Sequence, residues 1–159
     1  MDELGDRTLF SVSFENAEYL DDDAEPLFGP RVAAKLPNTA EDISEAARCL
    51  ALSRPTACVF HLMRVIKTGV QVLGNQLGVK LAEEKNWQNI LDEVNKAIKG
   101  RDQKDAVTKL YAGISSNLYN VKLAWRNEVM HPKQTYTPDE AKKVLSAVDG
   151  FTRDLAAVL

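Results

Sequence analysis

The chain has 159 residues, of which 45% are hydrophobic, 27% charged and 7% aromatic, which suits one domain whose core needs no metal or disulfide to hold it. Its apolar runs are too short to span a bilayer, no basic-then-apolar leader is recognisable, and two cysteines, Cys49 and Cys58, make no disulfide framework; membrane, secreted and disulfide-scaffold classes drop out, and a cytoplasmic protein is expected. The net charge of −3 argues against a general nucleic-acid binder, but residues 1–25 carry nine acids and one base, net −8, and residues 26–159 carry 14 acids and 19 bases, net +5.

Residues 1–37 read as an irregular acidic arm. Asp21-Asp22-Asp23 is followed by Pro26, Gly29, Pro30 and Pro37, a density of breakers that prevents long helices. One short strand or turn is expected near Leu9–Phe14. The Asp run reads as a solvated acidic turn, since no further metal-ligand cluster follows at a recognisable spacing.

Helical periodicity takes over from residue 38. Asn38 or Thr39 can cap a helix to about Ser53, with Ile43, Ala46, Ala47, Leu50 and Ala51 on its apolar face. Pro55 suits the start of a second helix, from about Thr56 to Leu77, ending near Gly78. Its stripe is Val59, Met63, Ile66, Val70, Leu73 and Leu77, and Phe60, Leu62, Val65 and Val72 widen it. Such a helix is central in a bundle or faces a second subunit. A third helix, capped by Asn86, runs from Trp87 to about Lys99 with Trp87, Ile90, Leu91, Val94 and Ile98 inward. A fourth spans about Asp102 to Met130, with the stripe Val107, Leu110, Tyr111, Ile114, Leu118, Val121 and Trp125. Thr137-Pro138-Asp139-Glu140 is a capping-box pattern opening a fifth helix that continues to the C-terminus. The expected fold is an all-α antiparallel bundle of four or five helices, occupying residues 38–159.

The chain lacks a phosphate-binding glycine loop, a zinc-ligand pattern and a Gly-x-Ser-x-Gly elbow, so no metal or cofactor is expected. That leaves two histidines. His61 lies mid-helix, where a packed, hydrogen-bonded role is the plain reading. It also shares a face with Arg64 and Thr68, which suits a supporting role at a polar site. His131 precedes Pro132, which disfavours helix at His131 and sets it at a helix C-terminus, where the dipole favours a protonated imidazole. Arg126 lies five residues earlier, ~140° away around a regular helix, so the two meet only if the helix unwinds before Pro132. On the residues alone, a helix-terminus role and a functional site are both open.

The segment Trp125-Arg126-Asn127-Glu128-Val129-Met130-His131-Pro132 resembles the Arg-x(4–6)-His signature of HEPN domains (higher eukaryotes and prokaryotes nucleotide-binding), in which a polar residue such as Asn127 commonly follows the arginine. The stretch from about Asp42 to Leu77 is also similar to small bacterial HEPN-like proteins. The resemblance covers residues 38–159 and implies a metal-independent endoribonuclease that acts as a homodimer in toxin–antitoxin, phage-defence or RNA-stress roles. Two facing chains would supply two copies of His131, one as base and one as acid, and paired Arg126 side chains to hold the phosphate. Asn127 would orient the histidine or the phosphate. Family members also draw a further polar or acidic residue from a neighbouring helix, for which His61, Arg64 and Lys67 are candidates. A non-catalytic HEPN-like module binding nucleotide, RNA or a regulatory protein such as an antitoxin is the alternative.

Trp125 and Tyr119 suit base stacking, although their helical spacing favours the core. Arg48, Arg54, Arg64, Lys67, Lys122 and Lys133 either line a basic groove or form scattered solvated surface. The acidic arm is either a solubilising tail or a phosphate mimic lying over that groove.

Overall fold

The structure, a computed structural model, describes residues 11–20, 26–79, 87–124 and 135–159. Outside them lie Asp21–Asp23, the Asn86 cap, Trp125, Arg126, Asn127, His131, Lys133 and the expected fourth-helix residues beyond 124. Among the described residues there are seven α-helices and no strand: α1 (Phe14–Ala17), α2 (Pro30–Lys35), α3 (Ala40–Ala51), α4 (Pro55–Gln76), α5 (Trp87–Lys99), α6 (Ala106–Ala124) and α7 (Pro138–Val158). The helices pack into an all-α bundle. The long ones, α3 to α7, are the five expected from periodicity. No strand forms in the described part of the Leu9–Phe14 stretch: residues 11–13 are irregular and Phe14 opens α1.

Helix α4 is central, packed on α3, α5 and α7. Its Cys58, Val59, Leu62, Val65, Ile66, Val70 and Leu73 are buried, so its breadth of apolar surface meets three neighbours of the same chain. Of the residues expected along it, Phe60 is instead open to solvent. From α7, Val144, Val148, Phe151 and Leu155 close the core, and from α5 Ile90, Leu91, Val94 and Ile98 do so. The proline-rich stretch ahead of α3 is not all peripheral: Phe28, Val32 and Leu36 are buried. Arg31 Nε donates to the Ala156 carbonyl at 3.0 Å and Lys35 Nζ to that of Leu159 at 3.0 Å, so α2 supplies cations where the last carbonyls of α7 lack helical partners.

Helix α6 departs from its sequence pattern in two ways. It starts at Ala106 rather than Asp102, because Asp105 caps it: the Asp105 carboxylate accepts from the Thr108 backbone N–H at 2.9 Å and from the Thr108 hydroxyl at 3.1 Å. Those bonds hold the Asp105 carboxyl below its usual range. The buried face is Thr108, Tyr111, Ile114, Ser115, Leu118 and Val121, whereas Val107, Leu110 and Tyr119 are exposed, Leu110 by 55% and Tyr119 by 47%. Ser115 is accommodated because its hydroxyl donates to Asn95 Oδ1 of α5 at 2.8 Å. Among the described residues only α5 and α7 flank this helix closely, so the apolar positions that look away from them stay open.

The capping box of α7 forms as expected. Glu140 N–H donates to Thr137 Oγ1 at 3.3 Å, and Thr137 N–H donates to the Glu140 carboxylate at 2.8 Å. The Thr137 bonds hold the Glu140 carboxyl below its ordinary value of 4.5. A depressed carboxylate stabilises the fold above the ordinary value and loses that contribution as pH falls through the folded-state value. Loss of the side-chain cap in Thr137→Ala is expected to cost about 1 kcal/mol at neutral pH. Urea melts at neutral and acidic pH check this, and the wild-type advantage should narrow on acidification.

Candidate functional site

The α3–α4 hairpin builds the principal polar cluster. Three residues, Leu52 to Arg54, join the helices, with Ser53 in the left-handed region at φ 56° and Arg54 N–H returning to the Cys49 carbonyl at 2.7 Å. Pro55 then occupies the first turn of α4, where its missing N–H has no helical partner to lose. In such a hairpin, residues equidistant from the turn come level. Asp42 and Arg64 each stand eleven positions from Ser53, and they meet.

Asp42, in the first turn of α3, receives two basic groups from that face of α4, His61 and Arg64. His61 Nδ1 lies 2.9 Å from Asp42 Oδ1. Arg64 Nε donates to Oδ1 at 2.8 Å and to Oδ2 at 3.0 Å. An ionised carboxylate only accepts hydrogen bonds, so the His61 proton on this side belongs to Nδ1. Nε2 is then left for other work: acceptor in the neutral ring, donor in the imidazolium. The Asp42 side chain is 14% exposed, that of His61 26% and that of Arg64 61%. A largely enclosed carboxylate thus holds a reachable imidazole and a largely solvent-facing guanidinium whose Nη groups are not committed to it.

This hydrogen bond predicts a tautomer. The neutral His61 ring should carry its proton on Nδ1 in a long-range 1H–15N imidazole spectrum, and Asp42→Ala should release it to exchange between both forms. A wild-type ring protonated on Nε2 contradicts the assignment.

Of the sequence-derived candidates, His61 and Arg64 are brought together, and Lys67 is exposed one turn beyond Arg64 on α4. Asp42 is the functional-site candidate that periodicity missed. It is polar at the start of a helix, where a carboxylate is expected for its own sake. The register of the hairpin was the signal that could have found it. Arg126, Asn127 and His131 lie outside the described residues, as do Trp125 and Lys133. The chain re-enters the described region at Thr135, and Tyr136 donates its backbone N–H to Thr56 Oγ1 at 3.0 Å, in the first turn of α4. Thr56 precedes His61 by five residues, about 7.5 Å along the axis.

Cys58 is fully buried, and burial pushes its thiol up to about 12. Burial, with the neighbouring Glu45, also raises Cys49. Among the described residues no group of His, Cys, Asp and Glu is arranged to hold a metal ion, and no helix is long and apolar enough to cross a membrane. Comparison with family models, with curated proteins and with solved structures finds no match to this chain.

Proposed function

We propose that the protein is a metal-independent endoribonuclease of HEPN type, working as a homodimer with a composite site of Arg126, Asn127 and His131 from each chain. The observation that carries the reading is the Arg126-Asn127-x3-His131-Pro132 motif, in a chain whose periodicity is helical on both sides of it. Two features of the bundle support it. The cluster of Asp42, His61 and Arg64 supplies an oriented imidazole and an accessible guanidinium. The chain that carries the motif returns, five positions after His131, to the first turn of the helix bearing His61.

The chemistry asks for few groups. A base takes the ribose 2′-OH proton, O2′ attacks the phosphorus, and a 2′,3′-cyclic phosphate forms as the P–O5′ bond breaks. An acid delivers a proton to the departing 5′ oxygen. One His131 serves as base and the partner copy as acid, while Arg126 side chains stabilise charge on the phosphorane. The roles expected of such an enzyme are toxin–antitoxin, phage defence or RNA stress in the cytoplasm, with an antitoxin or regulatory protein as a further partner.

Induced expression in a bacterial host tests this in cells. The wild-type chain should slow growth, and Arg126→Ala or His131→Ala should restore it at equal protein level. Growth inhibition that persists in both variants contradicts the assigned site.

A further inference from the structure

The open face of α4 has a composition that structure alone explains poorly. Phe60, His61, Arg64, Lys67 and Gln71 fall within an arc of about 120° on the helix. None of the 22 residues of α4 is Asp or Glu, and Asp42, which reaches this face from α3, is already engaged by His61 and Arg64. Arg64 uses only Nε for that contact, so its Nη amines remain for a ligand. Lys67, one turn on, is exposed and has no ion pair among the described residues. Phe60 is 39% exposed and stands edge-on to His61, ring centroids 5.8 Å apart at 83°. Cations on a helix face are ordinary solvated surface. An unpaired lysine, and an arginine with its Nη amines still open, beside an exposed aromatic ring are what a single nucleic-acid strand engages, its phosphates on the cations and a base on the ring.

We propose that this face of α4 is a docking track for single-stranded RNA. Arg64 and Lys67 hold backbone phosphates, Phe60 stacks a base, and Asp42 is a positioning residue that aims His61 Nε2 and Arg64 at the strand. The inference rests on RNA as the ligand, as in the function proposed above, but not on the chain cutting it.

The test uses the full chain carrying His131→Ala, in EDTA, titrated against a short fluorescently labelled RNA of mixed sequence across a range of salt. Arg64→Gln combined with Lys67→Gln should weaken binding at least tenfold at ~0.1 M salt and flatten the slope of log affinity against log salt by about 1.4, two single-strand phosphate contacts. Phe60→Ala should weaken binding about five- to a hundredfold and leave the slope unchanged. Lys104→Gln, in the turn between α5 and α6, should alter neither. Phe60, Arg64, Lys67 and Lys104 are exposed, and circular dichroism verifies that each variant is folded. The track is overturned if the RNA does not bind, if the α4 variants keep the starting affinity and slope, or if Lys104→Gln matches their loss. Each of these can occur in a chain whose wild type cleaves RNA, which leaves the ribonuclease reading standing. Binding that depends on Phe60, Arg64 and Lys67 in a chain that never cleaves upholds the track and removes the ribonuclease reading.

Discussion

Phe151→Ala is expected to destabilise the bundle by about 3–5 kcal/mol, the cost of removing a large buried ring from a core that collapses only partly around the cavity. The ring is 1% exposed and lies where α7 crosses α4, directly over Gly69. A Cβ built on Gly69 would sit 2.6 Å from Phe151 Cε1 and 3.0 Å from Cζ. Gly69 is therefore the residue that lets these helices approach. Two effects of Gly69→Ala oppose each other: better helix propensity contributes about 1 kcal/mol, and overpacking costs about 1–3 kcal/mol. The clash wins, because the ring is enclosed and has no free end to swing away. A net loss of up to about 2 kcal/mol follows, a fall in Tm of up to roughly 8 °C for a chain of this size. Phe151→Leu lacks both clashing atoms, so Gly69→Ala in that background should be neutral or stabilising. Thermal or urea unfolding of the four proteins of this cycle checks the account, and strictly additive effects contradict the contact.

Arg126→Ala and His131→Ala are each expected to lower RNA cleavage about 10²–10⁴-fold, the range for removing a positioned acid or base, with the electrostatic loss from Arg126 of similar size. The double variant should be little worse than either single one, because in the proposed site the groups act on one transition state. Multiplicative losses would contradict a shared site. Melting curves recorded alongside verify that each variant is folded.

The sequence pattern located the long helices well wherever one apolar face meets the core. Helix α5 runs Trp87–Lys99 and α7 opens at Pro138 behind its capping box, both as their periodicity indicates. It misled where burial was not decided by hydrophobicity. Val107 and Leu110 look like core, yet none of the described helices covers them, while Thr108 and Ser115 are buried because Asp105 and Asn95 satisfy their hydroxyls. Tyr119, expected in the core by its spacing, is half open for the same reason. At the candidate site, His61 and Arg64 were legible as one helix face. Asp42 was not, since its role depends on a contact between two helices that only the register of the hairpin specifies. By its spacing Phe60 belongs with the apolar surface of α4, and its exposure beside Arg64 is a property of packing rather than of local pattern.

The most direct test of the central claim is incubation of the purified wild-type chain with a panel of RNAs in excess EDTA, with His131→Ala alongside and the product ends analysed. The account predicts cleavage without metal, fragments ending in a 2′,3′-cyclic phosphate with a 5′-hydroxyl on the other side, and loss of both in the variant. A folded, dimeric wild-type protein that leaves the whole panel intact, or cleavage that survives in His131→Ala, would contradict it.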